Sequence, residues 1–147
     1  MRDLPDAVLF SCSMNSVRSP MAEALLKHLL GHRIYVDSVG VRAGQVDPLA
    51  VEVIDELGID LSRHKSKTFD DLEDTSYDLI ISLSPEAQHR AVEMTRTMAC
   101  EVEFWNTLDP AIVEGSREAR LAAYRSVRDT LKKRIEQRFT LDLKPNV

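Results

Sequence analysis

The sequence predicts a three-layer α/β sandwich built on a four-stranded parallel sheet. Apolar runs of strand length alternate along the chain with longer segments of helical periodicity, and this alternation is typical of parallel strands joined by right-handed crossovers. Residues 77–83 are almost continuously apolar, as expected for a strand that helices cover on both faces. At 147 residues, the chain has the length of one domain with a single core. We therefore predict a single domain over residues 1–147.

The predicted strands are short apolar runs bounded by polar or turn residues. They are centred on residues 7–10, 34–38, 77–83 and 102–105, and the last is short enough to lie at a sheet edge. Three of the helices begin at a pair in which Ser or Asp caps the free N–H groups and Pro occupies the first helical position. These pairs are Ser19-Pro20, Asp47-Pro48 and Ser84-Pro85.

The last predicted helix is long and amphipathic. It follows Gly115-Ser116, and its apolar residues recur at spacings of three and four. They are Leu121, Tyr124, Val127, Leu131 and Ile135. We interpret its basic residues, among them Arg125 and Arg128, as a solvated face rather than a binding surface.

Composition and charge exclude several classes of protein. A net charge of −5 argues against nucleic-acid binding, which needs a basic excess. The chain has neither an apolar leader nor a run of about 20 apolar residues. Two cysteines do not make a disulfide framework, which fits a reducing compartment. We expect a cytoplasmic monomer or weak dimer that binds neither nucleic acid nor membrane.

The strongest functional signal lies between the first strand and the first helix. Residues 12–18 read Cys-Ser-Met-Asn-Ser-Val-Arg, and a strand-to-helix turn of this length can direct successive backbone N–H groups inward to form an anion site. The same N–H groups would stabilise the thiolate form of Cys12 and make it a nucleophile. Arg18 carries a planar fork that matches two phosphoryl oxygens.

The other residues of this turn are candidates for binding the anion through the loop. Asn15 tolerates a left-handed conformation and would brace the loop. Ser19 could donate its hydroxyl to the thiolate, and Ser13 and Ser16 lack a nearby base, so they are interpreted as hydrogen-bonding residues. The candidate substrate-binding residues are Ser13, Met14, Asn15, Ser16, Val17 and Ser19.

A cysteinyl-phosphate reaction also needs a proton donor for the leaving oxygen. Asp109 follows the fourth predicted strand, so it belongs to the same edge of the sheet as Cys12. Pro110 biases Asp109 toward extended backbone geometry, which we expect to hold the carboxylate out rather than use it as a helix cap. Taken alone, the pair is better explained as a simple Asp-Pro turn, which is a common sequence.

Two further features of the sequence bear on the site. Residues 60–67 are polar and basic, and such a run is usually a solvated connection, with a rim that attracts an anionic substrate as the functional alternative. The four histidines are dispersed, and none pairs with a Cys or another His at ligand spacing. We therefore expect no metal and no other cofactor.

The N-terminal segment resembles a known signature. The run VLFSCSMNSVRSPMAEALLKHL is similar to the pattern C-x-G-N-x-C-R-S followed by P-x-A-E of the low-molecular-weight protein tyrosine phosphatase family. Met14 replaces the glycine of that pattern and Val17 its second cysteine. The matching positions are Cys12, Asn15, Arg18, Ser19, Pro20, Ala22 and Glu23. The segments SVGVRAGQVDP, ELGIDLSRHKSK and FWNTLDPA also resemble family segments, so the likeness covers nearly the whole chain.

The resemblance implies a flavodoxin-like, phosphotyrosine phosphatase I-like fold and a hydrolase. Cys12 would form a cysteinyl-phosphate, Arg18 would bind the phosphoryl oxygens, and Asp109 would act as general acid and then as base for water. The substrate would be a phosphorylated protein, tyrosine-phosphorylated in the family, or a small phosphomonoester. Ala111 and Ile112 stand where aromatic residues often follow the Asp-Pro pair in the family.

Two alternatives remain at this point. Arsenate reductases share this loop, and one that uses arsenate with an external thiol or redoxin would need no second cysteine. Cys100 is predicted at the start of the fourth strand, about five residues from the catalytic end, and is therefore a poor resolving thiol. The other alternative is an inactive anion-binding or protein-interaction module in which Met14 blocks the loop.

Overall fold

The computed structural model describes residues 4–73 and 76–139. The elements are β1 (Ala7–Cys12), α1 (Arg18–Leu30), β2 (Tyr35–Gly40), α2 (Pro48–Asp55), β3 (Leu79–Ser82), α3 (Pro85–Met94), β4 (Glu101–Phe104) and α4 (Arg117–Phe139). Two short 3-10 turns lie at Phe69–Asp71 and Pro110–Ile112.

The four strands form one parallel sheet in the order β2-β1-β3-β4. β1 is central, and β4 lies at an edge as predicted. The chain leaves β1 toward β2 on one side and later returns to β3 on the other. The carboxyl end of β1 is therefore the topological switch point, which is where ligands bind in open α/β sheets.

The sheet is covered by helices on both faces, which confirms the three-layer prediction. Val8 and Phe10 of β1 pack with α1, α2 and α4 in the larger core, whereas Leu9 faces a smaller core that includes Ala91 of α3. The predicted apolar residues of α4 are all buried in the larger core. Of the helices that the structure describes, none is both long and apolar enough to cross a bilayer.

The ends of the elements differ from the prediction in instructive ways. Asp47 and Ser84 cap their helices, accepting hydrogen bonds from the N–H groups of Leu49 and Ala87. The prediction that Ser19 caps α1 was wrong, because α1 begins at Arg18 and Ser19 already lies inside the helix. β3 and α3 are each shorter than predicted, and α3 ends at Met94.

The prediction that the basic residues of α4 form a solvated face was wrong for Arg128. Its side chain is buried, and it donates to the carbonyl oxygen of Val53 at 2.7 Å and to the carboxylate of Glu56 at 2.6 Å. Both partners lie near the carboxyl end of α2, where backbone carbonyls need donors. Arg128 therefore stabilises the packing of α4 on α2.

Candidate active site

The candidate nucleophile lies at the switch point of the sheet. Cys12 is the last residue of β1 and pairs in register with Gly40 of β2. Residues 12–18, which we call the anion-binding loop, connect β1 to α1. The Cys12 side chain is only 2% exposed, at the base of a small cavity that the loop partly encloses.

The carbonyl groups of residues 12–17 in the anion-binding loop all accept hydrogen bonds from outside it. The acceptors and donors are Cys12 O from Val41 N, Ser13 O from Arg42 N, Met14 O from Gly44 N, Asn15 O from Ser66 Oγ, Ser16 O from Asp47 N and Val17 O from Met21 N, at 2.6–3.1 Å. A trans peptide is planar, so the N–H of the next residue points away from each carbonyl. The N–H groups of residues 13–18 are therefore directed into the loop, as an anion site requires.

Asn15 fixes the loop from within, as predicted. With φ of 51°, it is the one non-glycine residue of the described chain in the left-handed region. Its Nδ2 donates to Ser19 Oγ at 2.8 Å and to Ser38 Oγ at 2.9 Å. Its Oδ1 lies 3.0 Å from both the backbone N of Lys67 and Nε2 of His64. The side chain thus uses its full hydrogen-bonding capacity.

The prediction of a solvated connection was wrong for His64 and Lys67, which contact Asn15 of the anion-binding loop. It is confirmed for the exposed residues of the segment, Asp60, Ser62, Arg63 and Lys65. The side chain of His64 is 9% exposed, and burial lowers the pKa of this imidazole, so the neutral ring donates from Nε2 to Asn15. Lys67 is paired with Asp37 at 2.7 Å. Sequence reasoning missed this support for the loop, although the likeness of this segment to the family gave a signal.

Gly40 allows the second strand to approach the loop closely. A Cβ atom at this position would lie 2.3 Å from the carbonyl oxygen of Arg42 and 2.7 Å from the backbone N of Asn15. Both are backbone atoms, so neither can move aside independently of the chain. Only glycine fits where β2 meets the anion-binding loop.

The Cys12 sulfur has two polar neighbours within the loop and helix. Ser19 Oγ lies 2.9 Å from Cys12 Sγ, and the backbone N–H of Asn15 donates to the sulfur at 3.3 Å. Both groups can donate a hydrogen bond to the sulfur. The hydroxyl of Ser19 therefore lies beside the Cys12 sulfur, as the sequence predicted, although Ser19 belongs to α1 rather than capping it.

The structure brings Asp109 to the same cavity as Cys12 and Arg18. Arg18 Nη1 donates to the carbonyl oxygen of Thr107 at 3.0 Å, which joins the anion-binding loop to the segment that carries Asp109. The backbone of Asp109 is extended, as predicted. The prediction that its carboxylate does not cap a helix was wrong, because Oδ1 accepts from Ala111 N at 3.0 Å at the start of a 3-10 turn.

The cavity above Cys12 is small, with a volume of about 140 Å³. Among the described residues that line it, none is aromatic: they are Cys12, Met14, Ser16, Val17, Arg18, Asp47, Asp109 and Ala111. Met14 does not have a positive φ, so it replaces glycine without backbone strain. Its side chain is 39% exposed and narrows the mouth of the cavity.

Asp47 was predicted only as a helix cap, but its carboxylate also lines this cavity. The hydroxyl of Tyr124 donates to Asp47 Oδ2 at 2.7 Å. Burial, with a smaller contribution from the hydrogen bond to Asp47, raises the pKa of Tyr124, so the phenol stays protonated. Tyr124 is 77 positions away in sequence, and the spacing of residues gave no signal for this contact.

A model of one protein family matches almost the whole chain. The family is described as low molecular weight phosphotyrosine protein phosphatase, and the match covers residues 7–146. This chain belongs to that family. The family recognised from the motif around Cys12 is thereby confirmed.

The proteins similar to this family member include arsenate reductases and a phosphatase. An arsenate reductase from Halalkalibacterium halodurans is 37% identical over 129 residues, covering 88% of this chain and 91% of the relative. A glutaredoxin arsenate reductase from Synechocystis sp. is 33% identical, with 88% and 92% covered. A solved cysteine-to-serine mutant of the YwlE arginine phosphatase of Bacillus subtilis, with a phosphorylated active-site serine, has a TM-score of 0.75 at 27% identity, with 95% of this chain and 97% of that chain covered.

The second cysteine of this family member lies at the other end of the sheet. Cys100 immediately precedes β4, whereas Cys12 ends β1. The register joins Ser11 to Ser82 and Ser82 to Phe104, which leaves Cys100 about five residues, or about 16 Å, behind the level of Cys12. Cys100 is partly buried, and burial raises the pKa of its thiol. This placement agrees with the prediction that Cys100 is a poor resolving thiol.

Proposed function

We propose that this protein reduces arsenate, with Cys12 as the nucleophile and a thiol from outside the chain as the reductant. The observation that carries the proposal is the cavity above Cys12, which has room for a tetrahedral oxyanion and has no aromatic wall among its described lining residues. The arsenate reductases among the relatives support this alternative over the tyrosine phosphatase that the sequence resemblance predicted.

The first step uses the anion-binding loop. The inward N–H groups of residues 13–18 and the guanidinium of Arg18 bind the arsenate oxygens. The Cys12 thiolate attacks arsenic, an S–As bond forms, and one As–O bond breaks. Asp109 donates a proton to the departing oxygen, which leaves as water. The product is arsenate(V) bound to Cys12.

The second step needs a reductant. An external thiolate attacks the Cys12 sulfur, so an S–S bond forms while the S–As bond breaks and its electron pair stays on arsenic. Arsenic leaves as arsenite in the +3 state. A second external thiol then releases Cys12 from the mixed disulfide. Two thiols become one disulfide, and the two electrons they lose account for the reduction of arsenic.

The position of Cys100 supports an external rather than an internal second thiol. At about 16 Å behind Cys12 along the strand direction, Cys100 cannot reach the Cys12 sulfur without rearrangement of the sheet. Both cysteines are free, which fits a reducing compartment. We infer a cytoplasmic location, where low-molecular-weight thiols or a redoxin can act.

A second candidate function is phosphomonoester hydrolysis. The solved arginine phosphatase with a phosphorylated active-site serine supports it, as does the presence of Asp109 in the Cys12 cavity. The same first step would give a cysteinyl-phosphate on Cys12. Asp109 would then act as a base for water, and phosphate would leave from the loop.

The experiment is a parallel assay of arsenate with added thiol and of p-nitrophenyl phosphate. We expect thiol-dependent arsenite formation that falls at least about 10⁴-fold in Cys12→Ser. Phosphate release without arsenite formation would contradict the reductase and support the phosphatase. Absence of both activities in folded protein would leave the inactive anion-binding module.

Cys100→Ser is the matched control for the reductase. It removes the other thiol, and we expect arsenite formation to stay within about twofold of the wild-type rate, because the external thiol resolves Cys12 directly. Loss of arsenite formation in Cys100→Ser, with anion binding retained, would mean that an internal relay operates and that the assignment of an external thiol is wrong.

A further inference from the structure

We propose that Asp47 is a specificity-determining residue, which makes the Cys12 cavity favour a thiol without negative charge as the reductant. This inference rests on the proposed function, in which an external thiol must reach the Cys12 sulfur. It concerns a residue whose sequence signal was only that of a helix cap.

The Asp47 carboxylate is held at the cavity by two donors. Leu49 N–H donates to Oδ1 at 2.8 Å, and the hydroxyl of Tyr124 donates to Oδ2 at 2.7 Å. Tyr124 is fully buried in α4, and the backbone N–H of Asp47 holds the carbonyl of Ser16 in the anion-binding loop at 2.9 Å. The negative charge therefore has a fixed position relative to Cys12.

The charged residues that line the cavity are Arg18, Asp47 and Asp109. Arg18 and the loop N–H groups serve the bound oxyanion, which leaves the carboxylates of Asp47 and Asp109 to meet an entering thiol. Met14 and Ala111 line the same cavity without charge. The positive charge of Arg120 opposes the rise in the pKa of Tyr124, but Arg120 is exposed and does not line the cavity.

An entering thiol must pass the residues that line the cavity, because Cys12 is almost completely buried. Every attacking thiolate carries the same charge on its sulfur, so a difference between thiols arises from their second functional group. A carboxylate on the thiol is repelled by Asp47, and an ammonium is attracted. In a cavity of about 140 Å³, one such charge changes the rate constant about fivefold.

The test compares three small thiols in wild type and Asp47→Asn at saturating arsenate. Cysteamine carries a cation, mercaptoethanol is neutral and mercaptopropionate carries an anion. We expect the ratio of kcat/KM in the variant to kcat/KM in wild type to be about fivefold higher for mercaptopropionate than for mercaptoethanol, and about fivefold lower for cysteamine than for mercaptoethanol. Both changes should shrink in high salt.

Two further variants separate charge selection from a change in folding. Asp55→Asn removes the same charge from an exposed position of α2 outside the cavity, and it should leave all three ratios at wild-type values. Tyr124→Phe keeps the buried ring but removes the donor to Asp47, so it should reduce the discrimination between the thiols. Equal ratios for the three thiols in Asp47→Asn would overturn the proposal.

A second readout keeps this inference separate from the proposed function. If no thiol supports arsenate reduction, the proposed function fails. Charge selection is then measured from the rates at which cystamine, hydroxyethyl disulfide and dithiodipropionate form mixed disulfides with Cys12, followed by mass spectrometry. In Asp47→Asn, the rate of mixed-disulfide formation relative to wild type should be highest for dithiodipropionate, intermediate for hydroxyethyl disulfide and lowest for cystamine. Equal relative rates for the three reagents would overturn the role of Asp47.

Discussion

The two halves of the active site are held in contrasting ways. The anion-binding loop is fixed through its own carbonyls and through Asn15, by β2, the loop after β2 and residues 64–67. The segment that carries Asp109 is anchored at Thr107, whose N–H donates to Leu83 O, while Leu108 and Ile112 are 61% and 68% exposed. The half that binds the oxyanion is rigid, and the half that meets the rest of the substrate is open.

Oxyanion binding and the choice of leaving or attacking group therefore depend on different parts of the molecule. A braced loop of N–H groups can bind any tetrahedral oxyanion of suitable size, so it is compatible with both arsenate and phosphate chemistry. The open segment that carries Asp109 meets the leaving or attacking group. We therefore expect changes in the loop to affect folding and all activities, and changes in the open segment to affect activity alone.

The largest effect on stability should come from Asn15→Ala. The change removes four side-chain hydrogen bonds, two of them buried and two partly buried, and places alanine in the left-handed region. We expect the free energy of unfolding to fall by about 4 kcal/mol, measured by urea denaturation. Asn15→Gly should be about 1 kcal/mol more stable than Asn15→Ala, and equal stability would mean that backbone strain at this position is unimportant.

Gly40→Ala should have the next largest effect on stability. We expect its free energy of unfolding to fall by about 3 kcal/mol, because the added Cβ would overlap backbone atoms of the loop. Thermal or urea unfolding measures this loss. Gly44→Ala is the matched control, since its Cβ would meet the flexible end of Met14 at 3.2 Å, and it should cost less than about 1 kcal/mol. Similar losses in both variants would contradict the close approach of β2.

In the open half, Asp109→Asn should lower turnover about 100-fold by removing the proton donor. The free energy of unfolding should stay within about 0.5 kcal/mol of wild type, since Asn can still accept from the N–H of Ala111. Steady-state kinetics and urea denaturation on the same preparation test both statements. Unchanged turnover would remove Asp109 from the mechanism.

The smallest effect concerns pH and His64. Burial lowers the pKa of His64 in the folded protein, whereas the unfolded chain takes up a proton near pH 6.5. The contribution of neutral His64 to the free energy of unfolding is therefore fully present above about pH 6.5 and is lost as the pH falls below that value. Denaturation at pH 7.5 and pH 5.5 should show a smaller pH-dependent loss in His64→Gln than in wild type, and equal losses would exclude His64 as the source.

The same contrast explains what the sequence could predict. The strands, α4 and the anion-binding loop follow from local patterns, because apolar runs, Xaa-Pro caps and the turn after β1 depend on neighbouring residues. The support from His64 and Lys67 and the pairing of Asp47 with Tyr124 depend on contacts across 49 to 77 positions. No spacing rule reports such contacts, so residues 60–67 and Asp47 were interpreted by their local character alone.

The most direct test of this account compares the two thiols within one molecule. Wild-type protein is treated with iodoacetamide, with and without arsenate, and the labelling of Cys12 and Cys100 is followed by mass spectrometry. We expect Cys12 to react faster than Cys100, because burial raises the pKa of the Cys100 thiol, and we expect arsenate to protect Cys12 alone. Labelling of Cys12 that is slow, or that arsenate leaves unchanged, would contradict a preformed anion site around a nucleophilic thiolate.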